Sequence, residues 1–375
     1  MLRAYLPPLI ISALMVFGLT YYVKILAEKF KLFDWPAPRK VHPKPIPRLG
    51  GVAIGLSFLI LVIGYSLASH RLNFSGFEIL RIDKRLVGVI LGLLILLGVG
   101  VIDDIRGIKP WKKLFWQIVA AGMTVLFGLS IQYLRLPFGE HLNLNSLQIP
   151  IYLFGHGFNF AVWGDLLTIF WIVLLINTFN FLDGLDGLSS GIGTITAAVI
   201  FFLSLALGQD ANALLALLIA GVSLGFLPWN FNPAKIFLGD SGSMSLGFLI
   251  GVLSIISGGK LATAFLVLGL PVLDVGWVVV RRLFKGISPF AADKKHLHHR
   301  LITAGLTQRQ AVIALYLIAI VFGSVAVVAS TQAKINAILI LSGLAAALAL
   351  VLVGLEYKRR NTKYEINTKI RKEKI

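Results

Sequence analysis

Long apolar stretches without a charged residue recur along the chain. Ten of them contain 17 to 24 residues each, the length that a helix needs to cross about 30 Å of hydrocarbon. They are residues 4–23, 49–69, 86–102, 114–134, 166–182, 187–209, 211–234, 241–259, 310–333 and 335–355. The stretch 261–280 is similar but carries one acid, Asp274. The pattern predicts an all-α integral membrane protein with about eleven transmembrane helices.

Composition supports a membrane protein and removes several classes of chemistry. Of the 375 residues, 57% are hydrophobic and 14% are charged, whereas about a quarter are charged in a soluble domain. The net charge of +18 fits anionic lipid or a phosphorylated substrate. Nucleic acid is not expected, because the basic residues lie in the loops between spans. The chain has no cysteine, which excludes thiolate catalysis and cysteine-ligated metals.

The basic residues also predict the orientation. If the N-terminus lies outside, the odd-numbered loops and the tail hold 26 Lys and Arg, and the other side holds eight. The positive-inside rule then places the C-terminus in the cytoplasm. Residues 136–165 are expected to form an external excursion with a short hairpin rather than a span, because Pro, Gly and Asn interrupt them. We expect one membrane domain over 1–355 and a basic cytoplasmic tail over 356–375.

Five acids from three loops are predicted to meet at the cytoplasmic face: Asp103, Asp104, Asp183, Asp186 and Asp240. Carboxylates at membrane depth are costly and usually mark function. Their convergence calls for a cation, and Mg²⁺ binds oxygen ligands, commonly one or two carboxylates together with substrate phosphates.

The pair Asp103–Asp104 ends the third span and is followed by a basic cluster: Arg106, Lys109, Lys112 and Lys113. This arrangement fits a phosphate and metal site, and ordinary helix-end charges are the alternative. Adjacent residues on a helix point about 100° apart. The two acids are therefore expected to have different roles.

The most specific segment is INTFNFLDGLDGLSSG, which places Asn177, Asn180, Asp183 and Asp186 at steps of three. A straight helix cannot direct all four at one ion, since each step rotates the side chain by about 60°. Gly184 and Gly187 permit a break in the helix. Such a break is tolerated in a membrane only where the backbone lines a polar cavity.

Three further segments carry candidate residues. In WNFNPAKIFLGDSGSMSLG, Asp240 opens a helix, either as an ordinary N-cap or at a Gly-flanked anion site, and Phe237 offers an aromatic face for a base. The segment RRLFKGISPFAADKKHLHHRL concentrates basic residues and His that suit a diphosphate. The loop DWPAPRKVHPKPIPRLGG suits a lipid phosphate, with a positive-inside cluster as the alternative. For Asp274, structural pairing and a site role both stay open.

Together, DDIRG, NTFNFLDGLDGL, NFNPAKIFLGDSGSMSLG and KKHLHHR, with RKVHPKPIPRLGG upstream, resemble the polyprenyl-phosphate N-acetylhexosamine-1-phosphate transferases over about residues 34 to 305. The segment HLHHR resembles the corresponding motif of the bacterial branch of this family. Enzymes of that branch use UDP-N-acetylglucosamine and begin teichoic acid, O-antigen or related glycans. The resemblance implies transfer of N-acetylglucosamine 1-phosphate to undecaprenyl phosphate with release of UMP. It also implies Mg²⁺, with Mn²⁺ as a substitute, and a bacterial plasma membrane enzyme with a cytoplasmic active site.

Carried onto this sequence, the resemblance implies specific roles. Asp183 and Asp240 would contact the metal, and Asn180 would lie beside it. Asp103 and Asp104 would lie near the lipid phosphate, and Asp186 matches a family acid. The remaining implied substrate contacts are Asn232 and Phe237 near the uracil, and His298, His299 and Arg300 near the diphosphate and sugar. From the basic segments themselves, we expect phosphate contacts at Lys112, in the cluster after Asp104, and at Arg39, Lys40, His42 and Arg48, in the proline-rich loop.

Alternatives remain at this stage. The same reaction on another UDP-N-acetylhexosamine is the first, and a secondary transporter is the second. Transporter sites lie near the midplane and often show repeat symmetry, whereas these motifs lie at one face. One-step attack by the lipid phosphate and a covalent aspartyl intermediate are both compatible with the sequence. A homodimer is compatible with the family, although no motif argues for it.

Overall fold

The computed structural model describes residues 2–36, 44–135, 141–153, 156–258, 260–284, 286, 297–330, 332–344, 347 and 351. Within those ranges the fold is built from helices joined by short turns. The helices are α1 (Leu6–Lys29), α2 (Gly50–Ser69), α3 (Lys84–Arg106), α4 (Pro110–Leu126), α5 (Val162–Leu182), α6 (Leu188–Ala206), α7 (Asp210–Asn230), α8 (Gly239–Ile256), α9 (Leu261–Phe284), α10 (Leu297–Thr303), α11 (Gln308–Val328) and α12 (Gln332–Leu344).

The helix lengths confirm an all-α membrane protein. Among the described residues, nine helices are long and apolar enough to cross a membrane. The two other predicted spans correspond to α4, with 17 residues, and to α12, the described part of the last apolar stretch. The fourth apolar stretch is shared between a helix and a strand, because α4 ends at Leu126 and the chain then turns at Gly128.

Four short antiparallel hairpins connect the helices. They are β1 (Phe33–Asp34) with β2 (Ile46–Pro47), β3 (Glu78–Ile79) with β4 (Ile82–Asp83), β5 (Tyr133–Arg135) with β6 (His141–Asn143), and β7 (Gln148–Leu153) with β8 (His156–Ala161). The last two pairs confirm that the region around 136–165 forms hairpins and not a span. They lie against the start of α5, where the Ile131 amide donates to Thr168 Oγ1 at 2.9 Å.

Helix α8 lies at the centre of the bundle. It is the most buried of the nine long helices, and it packs against α2, α3 and α5. Small residues allow this close packing, which replaces the hydrophobic effect as the attraction between helices in lipid. A Cβ added to Gly51 of α2 would lie 1.9 Å from the backbone nitrogen of Gly242, and one added to Gly100 of α3 would lie 2.3 Å from Ser241 Cα.

Polar contacts hold the end of the bundle at which α1 and α7 begin. The Tyr5 hydroxyl donates to Asp210 at 2.8 Å, which joins the starts of these two helices. Lys260, between α8 and α9, donates to Ser204 Oγ at 2.6 Å and to Gln209 Oε1 at 2.7 Å. This end is opposite to the one that carries the acidic motifs.

The contact between α2 and α8 generates a prediction. We expect Gly51→Ala to lower the apparent melting temperature in detergent, because the added methyl group meets backbone that cannot rotate away. Overpacking of this kind typically costs about 1–3 kcal/mol.

Gly64→Ala, on the same helix, is the matched control, since nothing lies within 4 Å of the Cβ added there. Alanine also favours a helix over glycine by about 1 kcal/mol. We therefore expect Gly64→Ala to melt no lower than the wild type. Equal melting temperatures for the two variants would contradict the close packing of α2 on α8.

Candidate active site

The loop before α8 is held by backbone hydrogen bonds to the segment that enters α2. The Phe237 amide donates to the Pro47 carbonyl at 2.9 Å. The amides of Gly50 and Gly51 return hydrogen bonds to the carbonyls of Phe237 and Leu238 at 3.0 and 2.8 Å. The described end of the basic, proline-rich loop therefore lies beside Phe237, which joins two motifs that are almost 200 residues apart.

Asp104 caps helix α8 from a different helix. Its carboxylate accepts from the amides of Asp240 and Ser241 at 2.8 and 3.2 Å, and from Ser241 Oγ at 2.7 Å. The first amides of a helix have no partner within the helix, and negative charge is stabilised there. Since Asp104 performs this capping, the side chain of Asp240 is available for other contacts.

Asp103 points to different partners, as the 100° step between adjacent helical residues predicts. One of its oxygens accepts from the Ile108 amide at 2.5 Å. The other forms an ion pair with Lys113, whose Nζ also lies 3.2 Å from Asp240. Lys113 thereby bridges the end of α3 and the start of α8.

The end of α5 brings two more motif residues to the same place. Asn180 Nδ2 donates to the Asp240 carboxylate and, at 3.1 Å, to Ser243 Oγ. Helix α5 ends at Leu182, and the chain turns before α6 at Gly187, where φ is +82°. The expected break within this motif is thus confirmed, and it releases Asp183 from the helix.

Asp183 receives no hydrogen bond from the described residues, although it lies among carboxylates. Burial, followed by the charges of Asp240, Asp104 and Asp186, raises the pKa of Asp183 well above its ordinary value. The positive charge of Arg48 acts in the opposite direction. An ionised Asp183 would therefore require a nearby cation.

Asp186 has a different environment beyond the turn. It accepts from Asn232 Nδ2 at 2.9 Å and from the Ala234 amide at 3.1 Å. Asn232 is also held by α11, because its Nδ2 donates to Gln308 at 2.9 Å and Arg309 Nε donates to its carbonyl at 2.9 Å. The loop before α8 is thus fastened to the turn before α6 and to the start of α11.

Asp274 lies within α9 and accepts from the Leu297 amide with both oxygens, each at 3.1 Å. This contact shows structural pairing, one of the two alternatives that the sequence left open: Asp274 caps α10, the short helix that carries residues 297–300 of the HLHHR segment. His298 and His299 lie on α10, but their side chains are outside the described residues. Arg300, on the same helix, is buried.

The remaining basic candidates are placed in different ways. Arg48 forms an ion pair with Asp34 and lies close enough to Asp183 to affect its charge. Lys112 lies away from the carboxylates, with its Nζ 5.6 Å from the centre of the Trp111 ring. Arg39, Lys40 and His42 lie outside the described residues.

Sequence reasoning chose Lys112 for a phosphate contact, whereas the lysine that joins the carboxylates is Lys113. The helical periodicity of α4 could have identified Lys113 as the lysine on the inner face. Residues 113, 117, 120, 121 and 124 share one face of α4 and are polar or small, whereas the face beside it carries exposed aromatic side chains. Ser241 and Ser243 were also missed, because serine at the start of a helix is common and draws no attention.

The donor set suits Mg²⁺ bound together with substrate. No group of three His, Cys, Asp or Glu within the described ranges is arranged as a complete metal site. Mg²⁺ commonly takes only one or two protein carboxylates and completes its six ligands with water and phosphate oxygens. Asp183 and Asp240 can supply these carboxylates, and Asn180 is hydrogen-bonded to one of them.

Known proteins with similar sequences show the family to which the chain belongs. A family model described as glycosyl transferase family 4 matches residues 86–258. A Bacillus subtilis protein named probable undecaprenyl-phosphate N-acetylglucosaminyl 1-phosphate transferase is 35% identical over 326 residues, which are 85% of this chain and 83% of the relative. A decaprenyl-phosphate N-acetylglucosaminephosphotransferase of Mycolicibacterium smegmatis is 34% identical over 82% of this chain and 77% of its own length.

A more distant relative extends the comparison to another bacterial group. The undecaprenyl-phosphate alpha-N-acetylglucosaminyl 1-phosphate transferase of Escherichia coli K12 is 28% identical over 82% of this chain and 79% of its own length. The relatives match most of the chain, and the family model spans α3 to α8 with the acidic motifs between them. The chain therefore belongs to glycosyl transferase family 4, in the branch of the bacterial polyprenyl-phosphate N-acetylglucosamine-1-phosphate transferases.

Proposed function

We propose that this protein transfers N-acetylglucosamine 1-phosphate from UDP-N-acetylglucosamine to undecaprenyl phosphate and releases UMP. One observation carries the proposal: Asp103 and Asp240 share Lys113, and Asn180 donates to Asp240, where α3, α4, α5 and α8 meet. Asp183, at the end of α5, is buried and feels the charge of Asp240. The names of the relatives supply the lipid acceptor and the transferred N-acetylglucosaminyl 1-phosphate group, and a UDP-sugar donor is our inference from the reaction. The product would begin a cell-surface glycan such as teichoic acid or O antigen.

The proposed site faces the cytoplasm of a bacterial plasma membrane, where UDP-sugars are made. The Lys and Arg distribution supports an external N-terminus and eleven spans. Every motif contact described above lies at the end of the bundle where α3 and α5 finish and α4 and α8 begin. This placement at one face argues against a midplane transport site.

The reaction joins two anions. An oxygen of the lipid phosphate attacks the β-phosphorus of UDP-N-acetylglucosamine, the P–O bond between the β-phosphorus and the bridging oxygen breaks, and UMP leaves with that oxygen. The barrier is dominated by charge repulsion and orientation. A bound Mg²⁺, held by Asp183 and Asp240, would neutralise charge on the diphosphate.

The surroundings of Asp103 favour direct attack by the lipid phosphate. Both oxygens of Asp103 are engaged, one by the Ile108 amide and the other by Lys113. A phosphate monoester has a second pKa of about 6, so the nucleophile is mostly deprotonated at neutral pH. Asp103 therefore holds Lys113 in place, and Lys113 offsets the charge of the attacking phosphate.

The other residues orient the donor. Phe237 presents an aromatic face to the uracil beside the α2 entrance. From the family resemblance, we expect His298, His299 and Arg300 to contact the diphosphate and sugar, and Asp274 caps the helix on which they lie. Asp104 has a positioning role, because its carboxylate is used to cap α8.

The first prediction concerns the reaction itself. Purified protein in detergent should release UMP when undecaprenyl phosphate, UDP-N-acetylglucosamine and Mg²⁺ are all present. EDTA should abolish the release, and excess Mg²⁺ or Mn²⁺ should restore it.

A parallel assay with UDP-N-acetylgalactosamine tests which sugar donor the enzyme uses. UMP release with this donor and not with UDP-N-acetylglucosamine would support the proposed reaction but assign it a different donor. Absence of UMP release from every donor would contradict the proposed function.

The second prediction concerns Asp240. Asp240→Asn keeps the size of the side chain but removes a charge that the cation needs, so we expect turnover to fall by about 100-fold or more, as for other preorganised electrostatic groups. Stability should change little. Asp210→Asn is the control, since that acid bonds Tyr5 at the far end of the bundle; it should retain turnover. Near-normal turnover of Asp240→Asn would remove Asp240 from the metal site.

The third prediction separates two adjacent lysines. Lys113→Met should lower turnover by about 100-fold, because two carboxylates and an incoming phosphate lose their shared cation. Lys112→Met should remain close to the wild type, since Lys112 lies over Trp111. UMP release at saturating substrate measures both variants. A larger loss of turnover in Lys112→Met than in Lys113→Met would show that the reaction requires Lys112 instead.

A further inference from the structure

A second polar layer lies one helical turn deeper than the proposed site. Gln117 follows Lys113 by four residues on α4, Asn177 precedes Asn180 by three on α5, and Met244 follows Asp240 by four on α8. Residues three or four apart on a helix lie on one face. The side chains of this layer therefore lie directly behind the side chains that hold Asp240.

Hydrogen bonds join the layer across three helices. Asn177 Nδ2 donates to Gln117 Oε1 at 2.8 Å and to the Val173 carbonyl at 2.8 Å. Gln117 Nε2 lies 3.7 Å from Met244 Sδ, a weak acceptor. The contacts thus connect α4 with α5 and α8 beneath the Lys113 and Asn180 contacts.

The Val173 carbonyl fixes the orientation of the side-chain amides of both Asn177 and Gln117. A backbone carbonyl only accepts, so Val173 requires the nitrogen of Asn177 to face it. That nitrogen also faces Gln117, which must therefore present its oxygen. The remaining Gln117 nitrogen then faces the Met244 sulfur, and each side chain in the layer has one defined orientation.

Burying polar amides in this layer is less favourable than burying apolar side chains there. Gln117 is 3% exposed, and a buried amide left without a partner destabilises the folded protein. An apolar side chain of the same size would avoid that cost. What a hydrogen-bonded amide provides instead is a directional contact that fixes the spacing and register of α4 against α5.

We propose that Gln117 and Asn177 form a positioning pair that places Lys113 and Asn180 on Asp240. The inference rests on the proposed function, because its effect is read in that reaction. Neither residue of the pair contacts the carboxylates. The pair acts through the helices, and an error of about 1 Å in such a site can cost about 100-fold in rate.

The first test replaces Gln117 by Met, which matches its length but has no amide. We expect kcat to fall by about 10- to 100-fold, the usual loss when groups that support a metal site are removed. KM for UDP-N-acetylglucosamine should change much less, since the uracil and α10 contacts are untouched. The Mg²⁺ concentration that gives half-maximal activity should rise.

Thr124→Val is the matched control on the same helix. Thr124 is fully buried, and its Oγ1 donates to the Ala121 carbonyl at 2.7 Å. This variant should keep the wild-type kcat and Mg²⁺ requirement, whatever its melting temperature. Equal losses of kcat in Thr124→Val and Gln117→Met would reduce the pair to a general packing role and overturn the proposal.

A reciprocal exchange provides the rescue. Gln117→Asn shortens one arm of the pair and Asn177→Gln lengthens the other, so each single change should lower kcat. The double variant restores the summed length and both amides, and it should recover most of the lost kcat. A double variant no better than its worse parent would overturn the proposal.

The activity of the wild-type enzyme distinguishes failure of the proposed function from failure of the positioning role. An inactive wild type would overturn the proposed function and the positioning role together. A wild-type kcat in Gln117→Met, measured beside an active wild type, would overturn the positioning role alone.

Discussion

The hydrogen bonds from the first amides of α8 to Asp104 are the interaction on which the rest of the site depends. A helix that begins inside a bundle needs acceptors for its orphan amides, and Asp104 is the acceptor for the amides of Asp240 and Ser241. Because α3 supplies the cap, Asp240 need not fold back on its own helix. It instead meets Lys113 and Asn180, so the cap from Asp104 leaves the carboxylate of Asp240 available for the proposed metal.

The close packing of glycines makes this arrangement possible. Gly51 and Gly100 bring α2 and α3 against the backbone of Ser241 and Gly242 with no space for a side chain. Short distances between helices then allow short polar side chains to reach across them. The same packing places the carboxylates of Asp183 and Asp240 close together, which is unfavourable alone and favourable around a cation.

Much of this could be predicted from the sequence, because the membrane imposes a simple rule on span length and the acidic motifs lie at span ends. The break between Asp183 and Asp186 was readable from the glycines. The cap on α8 was not, since nothing in a local pattern shows that an acid 136 residues away performs it. Lys113 was missed for a related reason: choosing between adjacent lysines requires knowing where α4 begins and which of its faces is covered. The role of Asp274 likewise became clear only when its partner amide was located.

The separation of Asp104 from its partner amides also bears on how the protein is made. At about 5–20 residues per second, the start of α8, 136 residues after Asp104, emerges from the ribosome roughly seven to thirty seconds after α3. During that interval the carboxylate and the two glycine faces of α2 and α3 have no partner from their own chain. The earlier helices must therefore wait in the membrane or its insertion machinery in an arrangement that still admits α8. Assembly of the central bundle is thus a late event in synthesis, and a chain truncated before residue 239 leaves a membrane protein with its centre missing.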